Sequence, residues 1–402
     1  MVAKRDETNL ELIFHPAEQP ALFSLGLNEV AFAARTSNGG PGYHVYMVDL
    51  LRYLERQCTL KWVEDEDAGE IDETNYFSSG DFQDVIEQMD GWLKLNLSYI
   101  SEVDEDSETL AIGLPTHLTS AAIEPGYVLT ARGPVDSRTL KKSADLDNEE
   151  FRSFADNWYV WPSAELDLAF WERTSNALLW CEVPWHPPRD DNDEWSYSAA
   201  RHALEQFRRA GGDANLFNAE DTEIAQMLSN LDTDELPPPF PDGRGYLRRR
   251  LDRTLQNYWS IRIPGYWYIE QTDDDAAYWY SNMTIRSSLM MIKSDPGRTA
   301  SDLLIEIVKE EASNGSKNRQ VQNIVEDGFI GFVQDGEEPS DANFGMLGRY
   351  ANDDSILIVS CYFDDKKESA TAWDYLRSVK FTGPPPETVY VDNDGMVEKD
   401  LN

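Results

Sequence analysis

Apolar residues in the first third of the chain recur at two spacings. Leu10–Phe14 and Glu29–Thr36 alternate apolar and polar positions over β-forming residues, which predicts two strands. The turn Ser37-Asn38-Gly39-Gly40-Pro41-Gly42 then leads into 43–57, where Val45, Val48, Leu51, Tyr53 and Leu54 share a helical face. Leu60–Val63 reads as a short strand, and the acidic stretch EDEDAGEIDETNYF after it reads as a solvent-exposed loop. Asp81 is placed to cap a helix running to Ile100, with Phe82, Val85, Ile86, Met89, Leu93 and Leu97 on its apolar side. Strands at Leu110–Leu114 and Tyr127–Ala131 complete an N-terminal α+β domain over 1–135.

Residues 136–236 form a Trp-rich, partly helical middle region holding Trp158, Trp161, Trp171, Trp180, Trp185 and Trp195. Its 166–181 segment fits either a helix or paired strands. Asp193–Ala210 carries acids in its first turn and Arg208-Arg209 in its last, the charge order a helix dipole favours. Asp221–Leu231 predicts another helix. The run Leu236-Pro237-Pro238-Pro239-Phe240-Pro241-Asp242-Gly243 ends helical structure and marks a boundary. A linker over 237–257 follows, with RGYLRRRLDRTL (244–255) as a basic helix expected to touch an acidic surface of the same chain.

The clearest alternation lies in 258–382. It predicts strands at 259–263, 266–271, 276–280, 284–293, 321–325, 328–334, 345–351 and 356–363. Helices are expected at 299–312, opened by Thr299 with Asp302 three positions on, and at 368–379. Antiparallel strands with two covering helices make an α/β/α sandwich, followed by a tail over 383–402. The chain is therefore expected to be a multidomain α+β protein.

The order of features here resembles the Mog1/PsbP-like superfamily, which includes the bacterial DUF1795/DcrB-type proteins. The segments that carry the resemblance are IPGYWYIEQTDDDAAYWYS, SSLMMIKS, TASDLLIEIVKEEAS, GRYANDDSILIVSCYF and ATAWDYLRSVKF. Ile263-Pro264-Gly265-Tyr266-Trp267 occupies the place of the family's Ile/Leu-Pro-x-x-Trp opening, and Leu376-Arg377-Ser378-Val379-Lys380-Phe381 that of its closing segment. The resemblance covers the last third of the chain and implies a non-catalytic sheet surface that binds protein partners. In its most concrete form this is a bacterial cytoplasmic factor for toxin immunity or for chaperoning secreted effectors.

The charge of this 402-residue chain sharpens that expectation: 74 acidic residues against 35 basic ones leave a formal net charge of -39, spread along the chain. Such a field repels phosphate backbones, so nucleic acid is not an expected ligand, and it attracts cationic proteins or peptides; the expected partner is a protein that is basic or carries exposed hydrophobic segments. The same charge also fits plain solubility in a saline setting. Cys58, Cys181 and Cys361 are far apart and predict no disulfide, which points to a reducing, cytoplasmic compartment. No stretch reaches the about 18 apolar residues of a membrane span.

Signatures of catalysis are sparse. None of the five histidines sits in a HExxH-type spacing, and Cys181, His186 and His202 match no zinc pattern, so neither metal nor cofactor is expected. Asp392-Asn393-Asp394-Gly395 echoes only the opening of a calcium loop. Gly40 and Gly42, at a helix start, could offer amides to an anion, although a tight turn positioning Tyr43 and His44 accounts for them as well. His44, His186 and His202 are the acid-base candidates of an alternative reading as an enzyme. A third reading, a structural part of a larger assembly, stays open. The partner-binding candidates are Trp267, Tyr268, Tyr278, Trp279 and Tyr280 on adjoining strands, where alternation sends some rings outward and others into the core.

Overall fold

The computed structural model describes residues 2–5, 8–15, 17–64, 72–102, 111–112, 127–130, 133–229, 238–240, 242–256, 258–272, 275–292, 298–313, 321–326, 328–335, 344–383, 390–391 and 397–398. The chain is α+β and divides into two compact units. Unit 1 comprises Met1–Asp232 with Pro238–Arg249, and unit 2 comprises Thr233–Pro237 with Arg250–Asn402.

Unit 1 opens with an antiparallel sheet in chain order, β1 (Val2–Arg5), β2 (Asn9–Ile13), β3 (Ala21–Leu25) and β4 (Val30–Ala33). Helices α1 (Pro41–Cys58), α2 (Tyr76–Ser79) and α3 (Phe82–Glu102) follow. A small sheet of β5 (Ala111–Ile112), β6 (Tyr127–Thr130) and β7 (Gly133–Asp136) precedes five more helices. These are α4 (Ser137–Ala144), α5 (Asn148–Trp158), α6 (Leu168–Cys181), α7 (Asp191–Arg209) and α8 (Asn218–Ser229).

Many of the acids have a local task here. Asp136, Asp147, Asp167 and Asp190 each accept a hydrogen bond from an amide in the first turn of α4, α5, α6 and α7, and Asp81 does so ahead of α3. A carboxylate there satisfies an orphan N–H and sits favourably at the positive end of the helix dipole.

The 1–135 and 136–236 segments, expected as separate regions, lie in the same unit as far as Asp232. One core joins Val45, Val85, Met89 and Leu93 to Leu140, Phe151, Ala155 and Tyr159. Burial of that apolar surface stabilises both segments together. Tyr159 also donates from its hydroxyl to the Met89 carbonyl at 2.6 Å.

Three local expectations are corrected. Residues 60–63 form no strand; instead the Trp62 indole N–H turns back along α1 to the Leu51 carbonyl, 2.8 Å away. The acidic loop is not wholly solvated, since Thr74 and Tyr76 are buried. The basic helix of 244–255 does not form: Tyr246–Arg248 make one 3-10 turn and β8 (Arg250–Gln256) is extended. Pairing with β9 (Trp259–Pro264), which buries Leu251 and Leu255, overrides the helical reading of the arginines.

Unit 2 is built on a seven-stranded antiparallel sheet. Its strands are β10 (Tyr268–Gln271), β11 (Asp275–Tyr280), β12 (Met283–Met291), β13 (Val321–Glu326), β14 (Phe329–Asp335), β15 (Phe344–Ala351) and β16 (Ser355–Phe363). They are ordered β10-β11-β12-β16-β15-β14-β13. Helix α9 (Ala300–Ser313) packs Ala300 and Leu304 against Ala351, Ile356, Ile330, Phe332 and Ile358, which share one face by register. The alternate residues face the other way. There Tyr350 donates to the Leu376 carbonyl of α10 (Ser369–Arg377) at 2.5 Å, and the Trp259 ring of β9 packs on Phe329 and Tyr350. Strands β8 and β9 with β17 (Lys380–Phe381) form a separate three-stranded sheet. The expected tail contributes a short pairing of Tyr390–Val391 with Val397–Glu398, while Asp392–Gly395 lies outside the described residues. Among the described residues no helix is long and apolar enough to cross a membrane.

Candidate functional site

The Gly-rich turn before α1 is the densest polar feature of unit 1. Gly40 accepts from the amides of Tyr43 and His44 through its carbonyl, and the Gly42 amide donates to the Trp161 carbonyl at 2.9 Å. A Cβ on Gly42 would run into the Ser163 carbonyl and the Trp161 ring, so glycine is required for this close approach. The Gly42 amide is thus spent on the protein. The turn instead holds a carboxyl of the chain itself: the Gly39 amide donates to Glu18 Oε1 at 2.5 Å. Glu18 is buried, and burial pushes its carboxyl up to about 8 against the pull of the Gly39 and Asn38 amides and of Arg35. Its Oε2 and the neighbouring Tyr43 hydroxyl are buried without a hydrogen-bond partner among the described residues.

His44 lies on the first turn of α1 with both ring nitrogens engaged. Nδ1 is 3.0 Å from Thr36 Oγ1, and Nε2 is 2.9 Å from Thr74 Oγ1 and 3.2 Å from Asp72 Oδ1. Burial opposes charge on Asp72, yet hydrogen bonds from His44, the Phe77 amide and Thr74 together hold its carboxyl below the usual range. The arrangement is a clasp tying α1 to the chain ahead of α2. His15 completes this polar core, with Nε2 3.0 Å from Thr174 Oγ1 and Nδ1 accepting the Ala17 amide; burial lowers its pKa to about 3.

The remaining histidines stand apart. His186 donates from Nδ1 to the Pro187 carbonyl at 2.8 Å, 3.8 Å from Asp193, and burial lowers its pKa. His202 is exposed on α7 with its ring edge against Trp171. Cys181 is buried, and burial raises its thiol well above the usual value, away from the thiolate a metal would need. Among the described residues no three His, Cys, Asp or Glu side chains converge as a metal site.

Of the five ring candidates in unit 2, Trp267, Tyr268, Tyr278 and Tyr280 are buried. Tyr278 donates to the Thr254 carbonyl, and Trp267 packs edge-on against Tyr375. For these four, core packing replaces the candidate role in a contact surface, because elements packed on the sheet cover them. Trp279 alone is half-buried, with its ring 4.3 Å from that of Tyr268.

Trp279 belongs to a surface that sequence reasoning did not assemble. Cross-strand register places Trp279, Thr284, Tyr362 and Gly345 in one row on the α9 face, and Ala277, Arg286, Ser360 and Leu347 in the next. Arg286 is exposed and the other seven are half-buried, because α9 packs on residues further along the same face. Glu270 and Asp275 share this face by register, Asp364 directly follows β16, and all three are exposed. The result is a ring-bearing shelf with an acidic rim. The chain matches no family model, and no curated protein matches it.

Proposed function

We propose that this protein is a non-catalytic protein-binding factor whose unit 2 receives a basic segment carrying exposed hydrophobic side chains. The observation that carries this reading is the open pair of cross-strand rows, with Trp279 and Tyr362 as half-buried aromatic anchors flanking Thr284. Aromatic side chains on a rigid sheet supply contact area at little entropic cost, and Glu270, Asp275 and Asp364 add charge complementarity to a cation. A net charge of -39 steers the same class of partner. The three cysteines are free, which supports a cytoplasmic address. The resemblance of unit 2 to the Mog1/PsbP-like superfamily supports a binding role in a bacterial cell, with toxin immunity or effector chaperoning as its most concrete form.

The test is fluorescence anisotropy of a labelled peptide that alternates lysine with leucine, titrated with the full chain at low and at physiological salt. Binding should weaken with salt, and Trp279→Ala or Tyr362→Ala should each weaken it about tenfold or more. A glutamate-for-lysine peptide should not bind. Equal affinity of both variants and the wild type, or no binding at low salt, overturns the assignment.

A further inference from the structure

The arginines after the Pro-rich run were expected to touch an acidic surface, and unit 1 shows what they touch in detail. Arg248 is buried with its guanidinium carbon 3.4 Å from the centre of the Trp185 ring, and it is ion-paired with buried Glu223. Its Nε donates to the Arg244 carbonyl at 2.6 Å and its Nη1 to the Phe240 carbonyl at 3.2 Å. Arg244 repeats the pattern, 4.7 Å from the Phe217 ring and 2.8 Å from Glu220 Oε1. Arg249 lies 5.6 Å from the Trp180 ring. Three successive arginines thus each meet an aromatic face, and two of them also meet a carboxylate.

That combination of ring face and carboxylate matches the planar, fork-shaped guanidinium better than an ammonium. The fit is close. Gly245 adopts a φ of 130° against the Trp185 indole, where a Cβ would collide, and Trp185 itself is left-handed at a φ of 59°. A bulky residue in that conformation is held by its surroundings, a mark of sites built around a partner. Arg248 Nη2 is buried without a hydrogen-bond partner among the described residues, so the occupant leaves one donor unmet.

We propose that Trp180, Trp185, Phe217, Glu220 and Glu223 form a guanidinium-reading clasp for arginine-rich peptides, filled in cis by Arg244, Arg248 and Arg249. The partner it fits carries arginines four residues apart, as Arg244 and Arg248 are. Covalent connection gives the cis segment an effective concentration on the order of millimolar, so a partner in trans must outcompete it. The clasp is independent of the sheet shelf of unit 2, and either can fail without the other.

The experiment empties the clasp. Full-length protein with Arg244→Ala, Arg248→Ala and Arg249→Ala is titrated with a labelled peptide of sequence GRGYLRRRL, alongside the wild type and a peptide with lysine in place of every arginine. The variant, shown folded by near-ultraviolet circular dichroism, should bind the arginine peptide at least tenfold more tightly than the wild type does. The lysine peptide should bind the variant at least tenfold more weakly. No binding to the folded variant, or equal binding of the two peptides, overturns the proposal. If the triple variant does not fold, Arg244→Ala alone vacates the more open Phe217 position. Millimolar ethylguanidinium should then raise its melting temperature while ethylammonium does not, and an equal response to the two salts overturns the proposal.

Discussion

Unit 1 and unit 2 bury different chemistry. The core of unit 1 encloses Glu18, which burial raises to about 8, His15, which burial lowers to about 3, and the Arg248–Glu223 ion pair. Unit 2 encloses phenols and a thiol: burial pushes Tyr278 and Cys361 up to about 12, and Tyr350 well above its usual value. Those groups stay neutral until strongly alkaline pH. The difference teaches that pH should act on the helical unit and leave the sheet unit in place.

The largest effect expected from that contrast is the pH profile of unit 1. The Glu18 carboxyl is raised from 4.5 to about 8, so its stabilising neutral state is fully present below 4.5 and is lost as pH rises through 8. His15 is lowered from 6.5 to about 3, so its contribution is present above 6.5 and is lost as pH falls through 3. Between 4.5 and 6.5 these two slopes cancel, and Glu182, which burial raises to about 7, leaves a further loss as pH rises. Over its whole window, from 4.5 to 8, Glu18 removes about 5 kcal/mol, of which about 2 kcal/mol falls above pH 6.5, and His15 removes a comparable amount as pH falls from 6.5 to 3. Urea unfolding of the full chain across pH 3 to 9 should show the alkaline loss and the acid loss in the transition of unit 1. Glu18→Gln should flatten its alkaline side. An unchanged alkaline slope in that variant would show that Glu18 is not the responsible group.

The second prediction attacks unit 2. Trp259 is buried among Phe329, Tyr350 and Phe381, with its indole N–H 3.4 Å from Ser355 Oγ. Trp259→Ala removes a large ring from a packed interior and should cost about 4 kcal/mol. The transition of unit 2 should move to lower urea while that of unit 1 keeps its midpoint and its pH profile. Coupled movement of both transitions would break the distinction between the units.

The same contrast explains what was legible in the sequence. The strands of the large sheet alternate strongly, and the turn at Asn352-Asp353-Asp354 sits where Ala351 and Ile356 pair across the hairpin. Strand β8 was hidden because its arginines and leucines, read alone, suit a helix, and only pairing with β9 selects the extended form. Helices α4 and α5 were missed although their caps, Asp136 and Asp147, stand in the sequence; among so many acids a capping aspartate does not stand out. Glu18 and Asp72 were invisible for a related reason. What separates them from the other carboxylates is the Gly39 amide and the His44 ring, brought to them only by the fold. Trp279 could be named from its strand, but its shelf could not, because rows across a sheet depend on register between strands distant in sequence.

The smallest expected effect tests a feature that was readable in advance. Thr299 and Asp302 form the opening of α9: the Thr299 hydroxyl accepts from the Asp302 amide at 3.1 Å, and Asp302 Oδ2 accepts from the Thr299 amide at 3.0 Å. These exchanged bonds satisfy two orphan donors at the helix start. Both residues are solvent-facing, so Thr299→Ala should cost only about 1 kcal/mol, whereas Thr299→Ser should keep most of the bond and cost less. The loss should appear in the transition of unit 2 alone. Because α9 sets how much of the sheet face is covered, the Thr299→Ala variant should also show faster amide hydrogen exchange in the first turn of the helix, with exchange in β15 and β16 unchanged. Faster exchange in those strands would mean that the helix and the sheet beneath it open together, and that the shelf beside α9 is less rigid than its register suggests.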